Sequence, residues 1–184
     1  MDIFDLLEIN PGSTKVHLAQ ASNGYDPLMD FFDGKFIDYQ KFQNKKNFER
    51  DNILSLIKLP GENLWLYVGV YSSQGIIGQE DGYHEYDTSL TKIGSSLIGR
   101  LVIEYRRAGR VSYPNCENLV GKASIAEIKS EPLGFSDFKS FKDVLLTRRD
   151  LEGLIRTAPG SWRSPLQSVS GIYLITDKAN GKQY

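Results

Sequence analysis

Two apolar runs, at residues 53–59 and 64–71, are the clearest feature of the chain because few polar residues interrupt them. The four residues between them, Pro-Gly-Glu-Asn, favour a turn. Apolar runs of this length on either side of a turn predict a β-hairpin in the core of a domain. RLVIEYR (residues 100–106) and KASIAEIK (residues 122–129) predict two further strands.

A shorter alternating segment, KVHLAQAS at residues 15–22, predicts one more strand. In a strand, Val16 and Leu18 point to one face, whereas Lys15 and His17 point to the other. We therefore expect a half-buried strand, with His17 on its polar face.

Helical spacing is confined to short segments. The apolar residues of DIFDLLEI (residues 2–9) recur at helical spacing, and Pro11 closes this helix with the glycine that follows. A second helix is predicted where Asp26 is placed as N-cap and Pro27 takes the first helical position. Gly34 is suited to end that second helix.

A third helix is predicted near residue 150. Thr147 and Asp150 have the spacing of a capping box with Asp in the third helical position. The apolar stripe of this helix is formed by Leu151, Leu154 and Ile155.

The order of these elements predicts an α+β fold with mainly antiparallel strands and a few short helices. The regular alternation of strand and crossover helix that a doubly wound sheet requires is missing. A small barrel and a twisted open sheet both fit the strand count. Pro, Gly and Ser concentrate at residues 158–169, which predicts a junction between domains at residues 1–165 and 166–184.

Composition and charge exclude several classes of protein. The 184 residues carry 22 Lys and Arg against 23 Asp and Glu, so the formal net charge is −1 and there is no bulk attraction to nucleic acid or membrane. Cys116 is the single cysteine, which favours a reducing compartment. The start, MDIFDLLEIN, is acidic and lacks the basic region of a signal peptide. We expect a soluble cytoplasmic protein without a membrane partner.

Positive charge is nevertheless concentrated around the predicted strand at residues 100–106 and around the third predicted helix. The candidate DNA-binding residues are Arg100, Arg106, Arg107, Arg110, Arg148, Arg149 and Arg163. Tyr105 and Tyr113 are close in sequence to the first four, and arginines beside aromatic rings suit phosphate contact and base stacking. The alternative is a solvated strand end whose charges prevent pairing with another edge.

Other combinations of reactive residues are weaker. DGYHEYD, at residues 81–87, places His84 among carboxylates, but the spacing matches no standard metal-ligand pattern and an acidic surface loop accounts for it better. Cys116 has no neighbouring histidine and is predicted to be an inert thiol. No metal site, phosphate-binding loop or nucleophile with its base is predicted in the chain.

The last fourteen residues, GIYLITDKANGKQY, predict a hairpin because Asn-Gly between such flanks favours a type I′ turn. Gly171, Ile172 and Tyr173 are followed by ten residues and then Tyr184. This spacing resembles the opening of a GIY-YIG nuclease domain, in which the first strand carries Gly-Ile-Tyr and the second begins its motif with Tyr. The long segment ahead of the motif is similar to members of that family with an extra N-terminal domain.

The resemblance implies hydrolysis of a DNA phosphodiester with one divalent metal, Mg²⁺, in the full-length nuclease. It implies that Tyr173 orients or deprotonates the attacking water and that Tyr184 is the tyrosine of the second strand. The catalytic Arg and the metal-binding Glu of the family come later than Tyr184. The 184-residue chain is therefore expected to be truncated inside the catalytic domain, to hold no cofactor and to be inactive alone. The domain arrangement suggests a role in restriction or host defence.

Two functions are open for residues 1–165. In the first, this region is the DNA-recognition part of a GIY-YIG endonuclease, and DNA is its partner. In the second, it is a protein-interaction module that forms a homodimer without binding nucleic acid. The predicted dimer surface consists of the apolar N-terminal helices and NLWLYVGVY, residues 63–71.

Overall fold

The computed structural model describes residues 2–22, 25–60, 62–134, 138–144, 151, 154 and 160–168. Contacts between residues divide the chain into two units, Met1–Gly134 and Phe135–Tyr184. The predicted boundary at residue 165 falls inside the second unit, and a separate domain beginning at residue 166 stays a prediction.

The described residues of the first unit form a seven-stranded sheet. Its strands are β1 Thr14–Ala19, β2 Phe42–Gln43, β3 Asn52–Lys58, β4 Leu64–Glu80, β5 Tyr83–Leu90, β6 Leu101–Tyr105 and β7 Ala123–Ile128. Their order is β1-β3-β4-β5-β2, while β6 also pairs with β4, and β7 pairs with β6. β1 and β3 run parallel, and the other pairs in this sheet are antiparallel. The predicted α+β class with mainly antiparallel strands is confirmed.

The 17-residue strand β4 organises the sheet. β3 pairs with its residues 65–72 along one edge. The opposite edge is shared, because β6 pairs with residues 64–66 and β5 with residues 71–80. The sheet is curled like half of a barrel, and the predicted β3–β4 hairpin is confirmed.

A β-bulge in β4 allows Tyr67 and Val70 to face the same core. The β3–β4 register shifts by one residue at this point, which changes the face to which the following side chains point. Gly69 lies in the bulge with a φ of +130°, and a Cβ there would come within 2.5 Å of Leu90 Cδ1. The bulge therefore requires glycine at this position.

Three short α-helices lie among the described residues of the first unit: α1 Ile3–Leu7, α2 Pro27–Phe32 and α3 Phe36–Lys41. Asp2 caps α1 by accepting from Phe4 N, and Asp26 caps α2 by accepting from Leu28 N. The predictions of the first two helices are confirmed, whereas the sequence pattern does not predict α3. In the part of the chain that the structure describes, no helix is long and apolar enough to cross a membrane.

Both faces of β1 are buried, so the prediction of a half-buried strand is wrong. Val16 and Leu18 belong to the main hydrophobic core, together with residues of α1, β4 and β6. His17, on the opposite face, is 1% exposed and lies against α3. A parallel pair of strands needs a long crossover connection. The connection between β1 and β3 contains α2 and α3, and α3 covers the second face of β1.

In the second unit, the described residues include a 3₁₀ turn at Phe141–Asp143 and helix α4 at Gly160–Ser168. Phe138 contacts Trp162 edge to face, with ring centroids 5.2 Å apart. The sequence pattern does not predict α4, because its Gly, Ser and Pro residues are typical of a connection between domains.

Two other predictions concern the second unit. Leu151 and Leu154 are helical, in agreement with the third predicted helix. The rest of that helix lies outside the described residues, as does the predicted hairpin at residues 171–184.

Candidate functional site

The outer edge of β1 is covered by residues 112–115. These residues follow the basic loop, residues 106–110, which comes directly after β6. Val16 N donates to Pro114 O at 3.0 Å, and Leu18 N donates to Ser112 O at 2.8 Å. These bonds satisfy backbone groups that an edge strand would leave exposed. They also hold the basic loop next to the end of β1.

Four rings at this place form an aromatic cluster: His17, Tyr25, Tyr39 and Tyr113. The centroids are 4.1 Å apart for Tyr25 and Tyr39, 5.9 Å for Tyr39 and His17, and 5.0 Å for His17 and Tyr113. The planes of each pair are within 26° of parallel. Stacked arrangements of this kind fix the orientation of the rings. The aromatic cluster is therefore a fixed surface built from β1, Tyr25 just before α2, α3 and residues 112–115.

His17 is held neutral inside this cluster. Its Nδ1 lies 3.0 Å from Gln40 Oε1, and Ser55 Oγ donates to the same oxygen. With the Gln40 amide in this orientation its oxygen accepts, so Nδ1 is the donor of this pair. Burial lowers the pKa of His17 from 6.5 to about 4, so the imidazole is uncharged at neutral pH.

A pocket of about 340 Å³ opens beside the aromatic cluster. Its walls are formed by residues 17–22, Tyr39, Arg107, Arg110, Ser112 and Tyr113. Two arginines and no carboxylate stand among the described lining residues, which favours anions, while the charge of Asp30 acts on Tyr39 from outside the lining.

The phenol groups of the pocket are uncharged as well. Burial raises the pKa of Tyr113 to about 12, and burial also raises the pKa of Tyr39. Both hydroxyls therefore keep their protons at neutral pH. The Tyr39 hydroxyl makes no hydrogen bond to a described residue, which leaves it available to a ligand.

The strand directions give the sheet two distinct ends. β1 and β3 run parallel, and β6 has the same direction because both β3 and β6 are antiparallel to β4. We call the end at which these three strands finish the pocket end. We call the starts of the three strands the closed end, although β6 starts level with the second half of β3, because Leu66 pairs with both Ile57 and Val102.

The structure separates the four arginines that the sequence groups around β6. Arg107 and Arg110 line the pocket, and Arg106 is exposed beside them. None of these three makes a hydrogen bond or ion pair to another described residue. Arg100 is at the closed end, roughly 20 Å from Arg106 at the rise of an extended strand. The prediction of a single cluster is therefore wrong for Arg100.

Arg100 is occupied by the fold itself. Its Nε donates to Lys129 O at 2.7 Å, and its Nη1 donates to Ser96 O at 3.1 Å. A guanidinium group held by two backbone carbonyls fixes the start of β6.

The structure does not describe the side chains of the other predicted site residues. Arg163 lies in α4, and the structure does not describe its side chain. Arg148, Arg149, Tyr173 and Tyr184 lie outside the described residues, and their predicted roles stay predictions.

The predicted acidic loop at residues 81–87 is wrong. Tyr83–Leu90 is strand β5, and Asp81 and Gly82 form the turn that connects it to β4. Among the described residues, no group of three or more His, Cys, Asp or Glu side chains is placed to hold a metal ion. The described residues therefore include no set of ligands for the Mg²⁺ that the resemblance implies.

Cys116 is buried in the main core of the first unit. Burial raises the pKa of its thiol to about 12, so the thiol stays protonated at neutral pH. This agrees with the prediction of an inert thiol, since the thiolate is the reactive form.

His17 and Tyr39 are pocket residues that sequence reasoning misses. His17 falls on the face of β1 that carries Lys15, and Tyr39 belongs to a helix that the pattern does not predict. Arg107 and Arg110, with Tyr113 close to them in sequence, are the sequence signals that point to the pocket. The pairing of β1 with residues 112–115 joins segments far apart in the chain, and no local pattern specifies it.

The pocket combines two guanidinium groups with a neutral imidazole and neutral phenols. This set suits an anionic ligand with a planar part, because guanidinium groups bind anions and aromatic rings stack.

No protein-family model matches the chain, and the comparisons with curated proteins and with solved structures found no match.

Proposed function

We propose that the unit Met1–Gly134 binds DNA at its pocket end and is the recognition part of a GIY-YIG endonuclease. The observation that carries the proposal is the position of Arg107 and Arg110. Both line an aromatic pocket, and neither has a partner among the described residues.

Arginines in this state are suited to phosphate. A guanidinium group donates two parallel hydrogen bonds to a phosphate, and such charge-assisted bonds are stronger than neutral ones. Arg107 and Arg110 have no ion pair with a described residue that DNA would first have to break. Exposed Arg106 adds a third positive charge at the same end of the sheet.

The nuclease part of the proposal is supported by the spacing of Gly171, Ile172, Tyr173 and Tyr184. In this proposal the full-length protein hydrolyses a DNA phosphodiester with Mg²⁺, and Tyr173 acts on the attacking water. Contact between DNA and the first unit then determines where the strand is cut, as restriction or host defence requires.

DNA binding is tested by fluorescence anisotropy of labelled single-stranded and duplex DNA at low and moderate salt. We expect binding that weakens steeply with salt, because bound cations release counterions from DNA. Replacing Arg107 and Arg110 with alanine is expected to reduce the slope of log affinity against log salt by about 2.

The control is the double variant Lys92→Ala with Lys129→Ala, which removes the same formal charge near the start of β6, where Lys129 pairs with Glu127 at 2.8 Å. Its affinity and salt slope are expected to stay close to those of the unmodified chain. No binding at low salt, or equal losses in the two double variants, contradicts DNA recognition by the pocket end.

A homodimer without DNA is the second candidate, and exposed apolar residues on the β4–β5 hairpin favour it. Ile76, Ile77 and Tyr83 are 41%, 67% and 49% exposed. Most of the dimer surface predicted from the sequence is not accessible, because residues 65–71 and Ile3, Phe4 and Leu7 of α1 are buried in the first unit. Phe31 and Phe32 of α2 are partly exposed.

Light scattering of the unmodified chain and of Ile77→Lys tests this candidate. A dimer that Ile77→Lys converts to a monomer, together with no affinity for DNA, supports the second function over the first. A monomer in both proteins contradicts it.

A further inference from the structure

We propose that the pocket holds a single nucleotide, with its base inside the pocket and its phosphate on Arg107 and Arg110. The inference rests on the proposed DNA function, because the nucleotide is one turned out of a DNA strand. A free nucleoside monophosphate has the same chemistry, and the experiment separates the two sources.

The volume of the pocket limits the size of the ligand. At about 340 Å³ it is near the lower end of the range of about 300–1,000 Å³ that is typical of small-molecule pockets. A continuous single strand needs a longer groove, since nonspecific binding domains cover about 4–16 nucleotides. The pocket therefore suits one nucleotide rather than a row of stacked bases.

The walls of the pocket suit the flat surface of a base. Tyr39 and Tyr113 both line it; Tyr39 is stacked on Tyr25 and on His17, and Tyr113 is stacked on His17. Their orientation is thus fixed before a ligand arrives, which reduces the entropy lost on binding. Every base has a π surface, so aromatic contact gives affinity for a base of any sequence.

The same walls carry groups that hydrogen-bond to the edge of a base. The Tyr39 hydroxyl makes no hydrogen bond to a described residue. Gln20, Ser22 and Ser112 also line the pocket and supply an amide and two hydroxyls. Bases present both donors and acceptors at their edges, and extruded bases are recognised through them.

The arginines place the phosphate at the opening. Arg107 is half-buried and Arg110 is exposed, so their guanidinium groups border both the pocket and the solvent. A phosphate that stays attached to a DNA strand must remain at such a boundary, whereas a base must enter the pocket. The described lining residues include no carboxylate that would repel this phosphate.

The cost of turning a base out of the helix predicts which DNA is preferred. Unstacking and unpairing are least costly for a base that is mismatched, damaged or already single-stranded. We therefore expect the first unit to favour DNA with one unpaired nucleotide over a fully paired duplex.

The test compares three duplexes of one sequence by competition anisotropy. The first is fully paired, the second has one unpaired adenosine, and the third has an abasic residue in place of that adenosine. The unpaired adenosine is expected to raise affinity about tenfold over the paired duplex, from the stacking of one base. The abasic residue is expected to remove this gain.

Substitutions in the protein test the same contact between the pocket and a base. Tyr39→Ala is expected to remove the tenfold gain of the unpaired adenosine over the paired duplex. Tyr39→Phe is expected to keep most of it, because the ring remains. Phe42→Ala, which removes an exposed aromatic ring of β2, is the matched control and is expected to change neither affinity. If Tyr39→Ala does not fold, the abasic duplex still decides.

The outcomes distinguish this inference from the DNA function. Equal affinity for the second and third duplexes overturns the inference and leaves DNA binding intact. Absence of DNA binding, with saturable binding of deoxyadenosine monophosphate that Tyr39→Ala weakens, overturns the DNA function and identifies a site for a free nucleotide. Absence of binding to both DNA and deoxyadenosine monophosphate overturns both.

Discussion

The two ends of the sheet use arginine in opposite ways. At the closed end, Arg100 donates to two backbone carbonyls and secures the start of β6. At the pocket end, Arg107 and Arg110 make no hydrogen bond or ion pair within the described part of the chain. A group of arginines in a sequence therefore does not locate a binding surface. The contacts that each guanidinium already makes decide whether it is free for a ligand.

Arg50 extends the contrast, since it also lies at the closed end, just before β3. Its Nη1 donates to Pro11 O and Thr14 O, both at 2.9 Å. The carboxylate of Glu117 accepts from both terminal nitrogens, at 2.6 and 3.0 Å. Arg50 thus joins the start of β1 to the 3₁₀ turn that contains Glu117. This arginine stabilises the fold and is not available to DNA.

The largest expected effect is the response of the chain to acid, because neutral His17 is buried beside the pocket. Its pKa is about 4 in the folded chain and 6.5 in the unfolded chain. Stability is therefore complete above pH 6.5 and falls as the pH decreases from 6.5 to 4, since the unfolded state binds the proton first. The expected loss is about 3 kcal/mol, at about 1.4 kcal/mol per pKa unit.

Urea unfolding at pH 7 and pH 4.5 measures this loss, followed by the fluorescence of Trp65 in a Trp162→Phe background. His17→Phe is expected to lose much less stability between the two pH values. His84→Gln removes the other histidine and is the control. If His17→Phe and the unmodified chain lose the same unfolding free energy between pH 7 and pH 4.5, a group other than His17 causes the pH dependence.

The next largest effect is expected for Arg50→Ala, which breaks the contacts of Arg50 at the closed end. The bonds from its guanidinium to the carbonyls of Pro11 and Thr14 are charge-assisted, and their loss is expected to cost about 2 kcal/mol of unfolding free energy. Urea unfolding measures the loss. Glu117→Ala removes only the exposed carboxylate and is expected to cost less; a larger cost than for Arg50→Ala would contradict this account.

A smaller effect is expected for Arg100→Ala, again at the closed end. The loss of two hydrogen bonds from a partly exposed side chain is expected to cost about 1 kcal/mol. Affinity for DNA, measured where the protein is fully folded, is expected to be unchanged. A weaker affinity without a loss of stability would place Arg100 in the binding surface and remove the contrast between the two ends.

The smallest effect on stability is expected at the pocket end. Replacing Arg107 and Arg110 with alanine is expected to change the unfolding free energy by at most about 0.5 kcal/mol, because neither contributes a described contact. Thermal unfolding measures this quantity for the same samples used in the DNA titrations. A loss comparable to that of Arg50→Ala would mean that these arginines support the fold.

Several elements are predictable because short-range patterns specify them. The β3–β4 hairpin follows from two apolar runs around a turn, and α2 follows from an N-cap Asp26 before Pro27. β5 is not predicted, because its residues 83–90 are largely polar and exposed and Tyr86 alone is fully buried. β5 forms because it pairs with β4 and β2, and this pairing cannot be recognised from its own residues.

The pocket is predictable only in part. The arginines and Tyr113 stand out in the sequence because a basic segment near an aromatic residue suits nucleic acid. His17 does not stand out, since its neighbour Lys15 suggests a solvent-facing side of β1. Its burial depends on α3, which packs against β1. This helix belongs to the long connection between β1 and β3, two strands that are paired in the sheet but are not consecutive in the chain.

The sequence by itself determined the α+β class, most of the strands, the first two helices and the concentration of arginine and tyrosine near β6. Periodicity and capping act over a few residues, so they can be read from the chain. Only the tertiary structure decided which arginines are free, because Arg50 and Arg100 find their carbonyl partners through strand pairing and loop positions. It also decided that His17, Tyr39 and Tyr113 meet, since the pairing of β1 with residues 112–115 joins segments distant in sequence.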